Sequence, residues 1–246
     1  MRKKNLFLAL LAMVLVCAIS VTGTMAYLTK TTGEVKNTFI AAGGGDLIGE
    51  NGAFTLQEVK VVKDEQGAYT LSKEADATTE ANSYDVIPGV DLAKRPFITI
   101  TDKTSAPAYL YVKVVGTNAL SATGLTFTME TGWVELTDLA DKENDIKIYV
   151  YGSKDGETAK GTVISSTDSA KDFTYDIIAN DEIVVEDNAT KVKDLTTTGK
   201  TLSFYAYLAQ ATVTDGDLAS SDPATVYTTC FGNSSSTPSG EGEGSN

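Results

Sequence analysis

The sequence predicts an all-β protein of the β-sandwich or jelly-roll type. About ten short segments alternate apolar and polar side chains with a period of two, which is the pattern of strands. Turn signals rich in Gly and Asp separate these segments, and no long stretch shows helical periodicity. With 42% hydrophobic and 22% charged residues among 246, the composition is typical of a folded body rather than a disordered chain.

Residues 1–26 have the pattern of a secretory signal peptide. Basic residues at positions 2–4 precede an apolar run at positions 6–21, and small residues follow it. Cleavage after Ala26 would start the mature chain at Tyr27. A membrane anchor is the alternative interpretation, but the run is shorter than the roughly 20 apolar residues that a spanning helix needs.

Residues 37–232 are predicted to form the sandwich body. The clearest strand lies at residues 107–116, where Leu110, Val112 and Val114 alternate with two tyrosines and a lysine. The other predicted strands are 37–42, 54–62, 68–71, 97–101, 125–129, 133–136, 146–151, 173–178, 182–185 and 201–211, with turns at 64–67, 155–156 and 198–199.

Two segments near the C-terminus depart from the strand pattern. Residues 216–227 are the one candidate helix, and Pro223 is expected to keep it short. Residues 233–246 offer no apolar side chain to bury, so they are predicted to form a disordered polar tail.

The composition excludes several functions. The chain has no histidine, which removes histidine-based triads, histidine-liganded zinc and the side chain that titrates near neutral pH. A formal net charge of -13 makes nucleic acid an unexpected partner. Cys230 is the only cysteine after the predicted signal peptide, so it has no partner for an internal disulfide.

The remaining candidate sites are weak. Residues 199–201 (GKT) resemble the end of a phosphate-binding loop, but Asp194 stands where that loop needs a glycine. Acidic clusters at 141–145, 181–187 and 215–222 supply oxygen ligands that suit calcium, although none has the spacing of a calcium loop. We therefore predict no enzyme activity, no catalytic or metal-binding residue and no cofactor.

Several motifs, in order and spacing over residues 26–232, resemble the TasA and camelysin family of biofilm-matrix proteins, which are matured by the signal peptidase SipW. The motifs at the signal junction resemble G-T-x-A-(aromatic)-x-(Asp/Thr) and N-T-F, and those in the body are similar to the family's core and late strands. The residues concerned are 23–29 (GTMAYLT), 37–39 (NTF), 87–89 (IPG), 98–101 (ITIT), 108–114 (AYLYVKV) and 202–211 (LSFYAYLAQA).

The resemblance implies a secreted structural subunit of extracellular matrix fibres outside a Gram-positive cell. Such a subunit polymerises head to tail, because its N-terminal segment completes the sheet of a neighbour. The implied partners are other copies of the chain, a signal peptidase of the SipW type and accessory matrix subunits. The metalloprotease activity described for camelysin does not transfer, since an HExxH motif is impossible without histidine.

Residues 27–36 are the candidate donor strand, which gives a jelly-roll-like β-sandwich with a detachable N-terminal strand. The segment is rich in β-forming residues, and Gly33 separates it from the first body strand. Docking about ten residues costs on the order of 10 to 20 kcal/mol of backbone entropy. Each buried apolar side chain returns roughly 1.5 to 3 kcal/mol, so hydrogen bonds to the acceptor sheet must supply the rest. A frayed terminus is the alternative interpretation. The candidate donor residues are Tyr27, Leu28, Thr29, Lys30, Thr31 and Thr32.

Two rival functions remain open on the sequence alone. The first is a monomeric secreted or surface-associated adhesin that binds through the loops of the same sandwich. The second is a protease with an unfamiliar site, and the absence of histidine argues against it.

Overall fold

The computed structural model describes residues 29–31, 47–48, 53–66, 68–73, 76–101, 104, 106–164, 173–187, 200–215 and 218–232. The predicted signal peptide (1–26), the strand at 37–42, the turn at 198–199 and the tail (233–246) lie outside these residues. Within the described part, strands dominate and almost all pairs are antiparallel, so the all-β prediction is confirmed.

The strands differ widely in length, from two residues to ten. They are β1 (Thr29–Thr31), β2 (Phe54–Val59), β3 (Val61–Lys63), β4 (Tyr69–Leu71), β5 (Ala77–Thr78), β6 (Leu92–Ala93), β7 (Pro96–Ile100), β8 (Ala108–Val115), β9 (Leu125–Thr126), β10 (Trp133–Glu135), β11 (Ile146–Asp155), β12 (Thr158–Gly161), β13 (Phe173–Asp176), β14 (Glu182–Val185), β15 (Ser203–Gln210), β16 (Val213–Asp215) and β17 (Leu218–Ser220). The helices are α1 (Thr117–Ser121) and α2 (Pro223–Phe231), with 3-10 turns η1 (Thr137–Leu139) and η2 (Ala179–Asp181).

The major sheet has the order β1-β15-β8-β11-β10, and β12 pairs with the far end of β11. Its centre is the antiparallel pair β8 and β15, which stay in register along all eight residues of each strand. In both strands successive side chains point to opposite faces, with mainly aliphatic side chains on the inner face and mainly tyrosines on the outer face.

The second sheet has the order β13-β7-β2-β5 and packs against the inner face of the major sheet. The core between them is mostly aliphatic and almost fully excluded from solvent. Its members include Leu56, Ile98, Ile100, Leu110, Val112, Val114, Phe204 and Leu208.

A third sheet has the order β3-β4-β6-β14-β9 and encloses a smaller cluster of buried residues around Leu92 and Ile183. The turn predicted at residues 64–67 joins β3 to β4, and the Asp64 side chain accepts hydrogen bonds from the backbone of Gln66 and Ala68 at 2.9 and 2.8 Å. The turn at 155–156 likewise joins β11 to β12.

Two strand predictions need correction. Residues 54–62 are predicted as one strand, but the chain leaves the second sheet after β2 and joins the third sheet as β3, with the break at Lys60. The strand predicted to end at residue 151 continues to Asp155, since β12 pairs with its extension. Sequence periodicity does not report a change of pairing partner, which long-range contacts decide.

Helix α2 corrects the expectation for residues 216–227. Pro223 stands at the first helical position rather than inside the helix, where its missing N–H and fixed φ do no harm. The Asp222 carboxylate caps the helix by accepting a hydrogen bond from the Thr225 N–H at 2.9 Å. The helix therefore begins at the proline and runs nine residues to Phe231.

Candidate functional site

Strand β15 lies next to the edge of the major sheet, where it pairs with the N-terminal strand β1. Its sequence is SFYAYLAQ, and every residue but the last is buried. Phe204, Ala206 and Leu208 face the second sheet, and the alternate residues Tyr205, Tyr207 and Ala209 face the outer side beneath α2. On one side β15 pairs with β8, and on the other side it pairs with β1.

Three of the predicted donor residues form β1. Thr29, Lys30 and Thr31 run antiparallel to β15, opposite Ala209, Leu208 and Tyr207 respectively. The structure therefore puts the N-terminal segment against the sheet of its own chain. The other predicted residues of the junction and donor strand, Ala26, Tyr27, Leu28 and Thr32, lie outside the described residues.

The outer face of β8 and β15 is tied to α2 by tyrosine hydroxyls. Tyr109 donates a hydrogen bond to the Ser221 carbonyl, and Tyr111 donates one to the Pro223 carbonyl, both at 3.0 Å. Burial raises the pKa of both phenols above the usual value, so they stay protonated as donors at neutral pH. These bonds fix the start of the helix above the outer face of the sheet.

Cys230 lies on α2 as a free thiol, half buried against the same aromatic layer. Burial raises its pKa to about 11, so the thiol is protonated and a poor nucleophile at neutral pH. Cys230 is therefore a small packing residue on the side of α2 that contacts the aromatic layer, rather than a reactive group.

A second arrangement, missed by the sequence analysis, lies in the second sheet. Glu58 on β2 is completely buried and Lys94 is 6% exposed, and Lys94 Nζ lies 2.7 Å from Glu58 Oε2. The Tyr84 ring covers this ion pair with its centroid 5.7 Å from Nζ, and burial together with the Glu58 charge raises the pKa of Tyr84. The sequence could have indicated this buried charge. Glu58 is separated by an even number of residues from Phe54 and Leu56, so all three side chains point to the core side of the strand.

The acidic clusters considered for calcium are used by their own loops where the structure describes them. Asp141 accepts hydrogen bonds from the backbone of Glu143 and Asn144 and from the Asn144 side chain, and these bonds lower the pKa of its carboxyl. Asp145 accepts two backbone hydrogen bonds from the first turn of α1. Across the described ranges, no group of three or more acidic or cysteine side chains converges as a metal site.

Comparison of the chain with protein-family models, with curated proteins and with solved structures found no match in any of the three. Among the helices of the described residues, none is both long and apolar enough to span a membrane.

Proposed function

We propose that this protein is a secreted structural subunit of extracellular matrix fibres and that it polymerises head to tail through its N-terminal strand. The observation that carries the proposal is the pairing of β1 with β15 at the edge of the major sheet. An edge strand presents unpaired backbone groups, and an added strand satisfies them by main-chain hydrogen bonds.

Exchange of this strand between subunits is energetically accessible. The described pairing spans three residues, and a net 0.5–1.5 kcal/mol for each hydrogen bond limits its contribution to a few kcal/mol at about 25 °C. Identical subunits offer identical edges, so a strand that fits its own sheet also fits the same sheet in a neighbour. Because donor and acceptor surfaces differ, such a contact is head to tail and extends into an open fibre.

A monomeric adhesin is the second candidate, and one observation favours it. In a single chain β1 already pairs with residues 207–209 of β15, which is the contact that a neighbour's strand would otherwise supply. The two functions therefore differ in whether β1 pairs within the chain or between chains.

A cysteine pair tests this difference directly. Thr29 and Ala209 are opposite in the register, at a separation compatible with a disulfide. We expect mature protein with Thr29→Cys, Ala209→Cys and Cys230→Ser to give a ladder of covalent oligomers on a non-reducing gel after oxidation. An intrachain disulfide in a purely monomeric product would favour the adhesin instead.

A mixing experiment and a register control complete the test. Two separate variants, one with Thr29→Cys and one with Ala209→Cys, should form a covalent dimer when mixed if strands exchange between chains. The matched control combines Thr29→Cys with Ser203→Cys, six residues along the same strand and about 20 Å from the register position, and should give no ladder. Deletion of residues 27–36 should also abolish fibres while circular dichroism of the body stays native-like.

A further inference from the structure

The side-chain amide of Asn82 is held in one orientation beside the buried ion pair. The Val61 N–H donates a hydrogen bond to Asn82 Oδ1 at 3.2 Å, and Asn82 Nδ2 donates to the Val59 carbonyl at 2.8 Å. Because a backbone N–H only donates and a carbonyl only accepts, the two ends of the amide cannot be interchanged. Asn82 Nδ2 also donates to Glu58 Oε1.

The Glu58 carboxylate contacts both the Lys94 amine and the Asn82 amide, and these two groups can react with each other. Glu58 Oε2 accepts from the Lys94 ammonium at 2.7 Å, while Glu58 Oε1 accepts from the Asn82 amide nitrogen. The sheet explains this arrangement, since Glu58 on the middle strand lies opposite Thr78 on one side and Pro96 on the other. Asn82 comes shortly after the first of these neighbours and Lys94 shortly before the second.

We propose that Lys94 and Asn82 join in an intramolecular isopeptide bond, with Glu58 as the proton carrier. The Nζ–Cγ bond forms and the Cγ–Nδ2 bond breaks. The lysine ammonium and the carboxamide become a secondary amide and one ammonium ion, so atoms and charge balance without an oxidant or reductant. Glu58 takes protons from Nζ, passes them to the departing nitrogen and ends as the carboxylate from which it began.

Described groups supply the proton carrier and the oxyanion donor that the reaction requires. Glu58 Oε2 is in place to remove a proton from Nζ, and Glu58 Oε1 is in place to protonate the leaving nitrogen. The Val61 N–H already points at the oxygen that becomes negative in the tetrahedral intermediate. Both reactants contact the same buried carboxylate, which holds them at its two oxygens, and the reaction needs Nζ to approach Cγ to roughly 3–3.5 Å.

The surroundings allow the product to form and the ammonia to leave. The carboxylate and the amine are nearly dry, which strengthens the effect of a proton carrier. Asn82 itself is half buried and borders an open cleft of about 360 Å³ between β3 and the segment after β5, through which ammonia can escape. A buried ion pair is by itself a weak source of stability, whereas a covalent bond from Asn82 to Lys94 closes a ring in the chain.

Tryptic mapping of the purified full chain tests the bond independently of the fibre function. Trypsin releases residues 74–94 from a chain with a free Lys94 amine. Acylation of Lys94 blocks that cut, and the Arg95–Pro96 bond resists trypsin, so we expect residues 74–103 as one peptide lighter by one ammonia, about 17 Da. Fragmentation should give no sequence ions between Asn82 and Lys94, because both ends of that stretch are joined.

Two outcomes would overturn the proposal. The first is recovery of residues 74–94 at the unmodified mass as the main product. The second is the same 17 Da loss in a peptide that still ends at a cleavable Lys94, which would identify a succinimide at the Asn82–Ser83 bond instead.

Variants separate the roles of the three residues. Asn82→Ala removes the electrophile and should restore cleavage after Lys94, with a lower unfolding temperature. Glu58→Gln keeps the size of the side chain and should leave most of the protein uncrosslinked, while complete crosslinking in this variant would refute the proton-carrier role. Lys160→Arg, on an exposed ion pair with Asp155, is the matched control and should leave the crosslink intact. If Glu58→Gln fails to fold, the peptide from the unaltered chain still decides the proposal.

Discussion

On the central strands β8 and β15, the inner face of the major sheet packs mainly aliphatic side chains against the second sheet, whereas the outer face packs tyrosines beneath α2. Leu110 and Leu208 on the inner face carry no polar group, so close packing alone satisfies them. Tyr111 and Tyr207 on the outer face are just as buried but carry hydroxyls that need partners. At these positions of β8 and β15, the inner face is thus specified by shape, and the outer face by shape and hydrogen bonding together.

The outer face of these two strands also holds a buried charge, whereas the buried inner-face residues of the same strands are all apolar. Lys113 is 3% exposed, and its Nζ lies 4.6 Å from the centroid of the Tyr205 ring on the neighbouring strand. These two residues are directly opposite in the β8–β15 register. A cation over an aromatic face is a favourable arrangement for a buried ammonium. The aromatic layer can therefore cover a lysine that the aliphatic layer would leave unpaired.

The largest effect is expected from a cavity on the inner face. Phe204 is completely buried between the two sheets, so Phe204→Ala should lower the free energy of unfolding by about 3–5 kcal/mol. Chemical denaturation of the variant and of the unaltered protein measures this difference. Thr212→Ala, at an exposed position just beyond β15, should change it by less than about 0.5 kcal/mol. A loss below about 1 kcal/mol for Phe204→Ala would show that the inner face is not the main source of stability.

A clash on the outer face should have the next largest effect. A Cβ at Gly161 would lie 2.7 Å from two carbons of the Tyr109 ring, so Gly161→Ala should push the ring away from its place under α2. We expect a loss of about 1–3 kcal/mol in the free energy of unfolding. The double variant with Tyr109→Ala should lose less than the sum of the two single variants, because the clash then disappears. If the losses of the two single variants simply add in the double variant, the loss caused by Gly161→Ala does not come from a clash with the Tyr109 ring.

Removal of one buried hydroxyl should cost less. Tyr111→Phe keeps the ring but deletes the hydrogen bond to the Pro223 carbonyl, so it should lower the free energy of unfolding by about 1 kcal/mol. The matched change Tyr109→Phe, whose hydrogen bond is only partly buried, should cost less. A larger loss for Tyr109→Phe than for Tyr111→Phe would mean that burial does not determine how much these hydrogen bonds stabilise the fold.

The last effect appears only at alkaline pH. Burial raises the pKa of Cys230 from its ordinary value of 9.0 to about 11 in the fold, so the folded state holds its proton more tightly than the unfolded chain. That contribution to stability is fully present below pH 9 and is lost as the pH rises through 11. The unfolding temperature should therefore fall less steeply above pH 9 in Cys230→Ala than in the unaltered protein. Parallel curves for the two proteins would contradict a buried, protonated thiol.

Much of the candidate site follows from local sequence patterns. The period-two alternation in residues 107–116 and 201–211 predicts β8 and β15, since a strand puts alternate side chains on opposite faces. The β-forming residues of the N-terminal segment predict a strand, and Thr29–Thr31 form one. That this segment leaves its own sheet for a neighbour's stays a prediction.

The sequence by itself determined the long strands β8 and β15, the turns at 64–67 and 155–156 and the absence of histidine chemistry, because these depend on neighbouring residues and on composition alone. Only the tertiary structure decided that β1 lies against β15, that α2 covers the tyrosines, and that Glu58 meets Lys94 and Asn82. Each of these contacts joins residues far apart in the chain or on different strands. Their free energy comes from burial and hydrogen bonding that exist only after the sheets have packed, so no local pattern contains them.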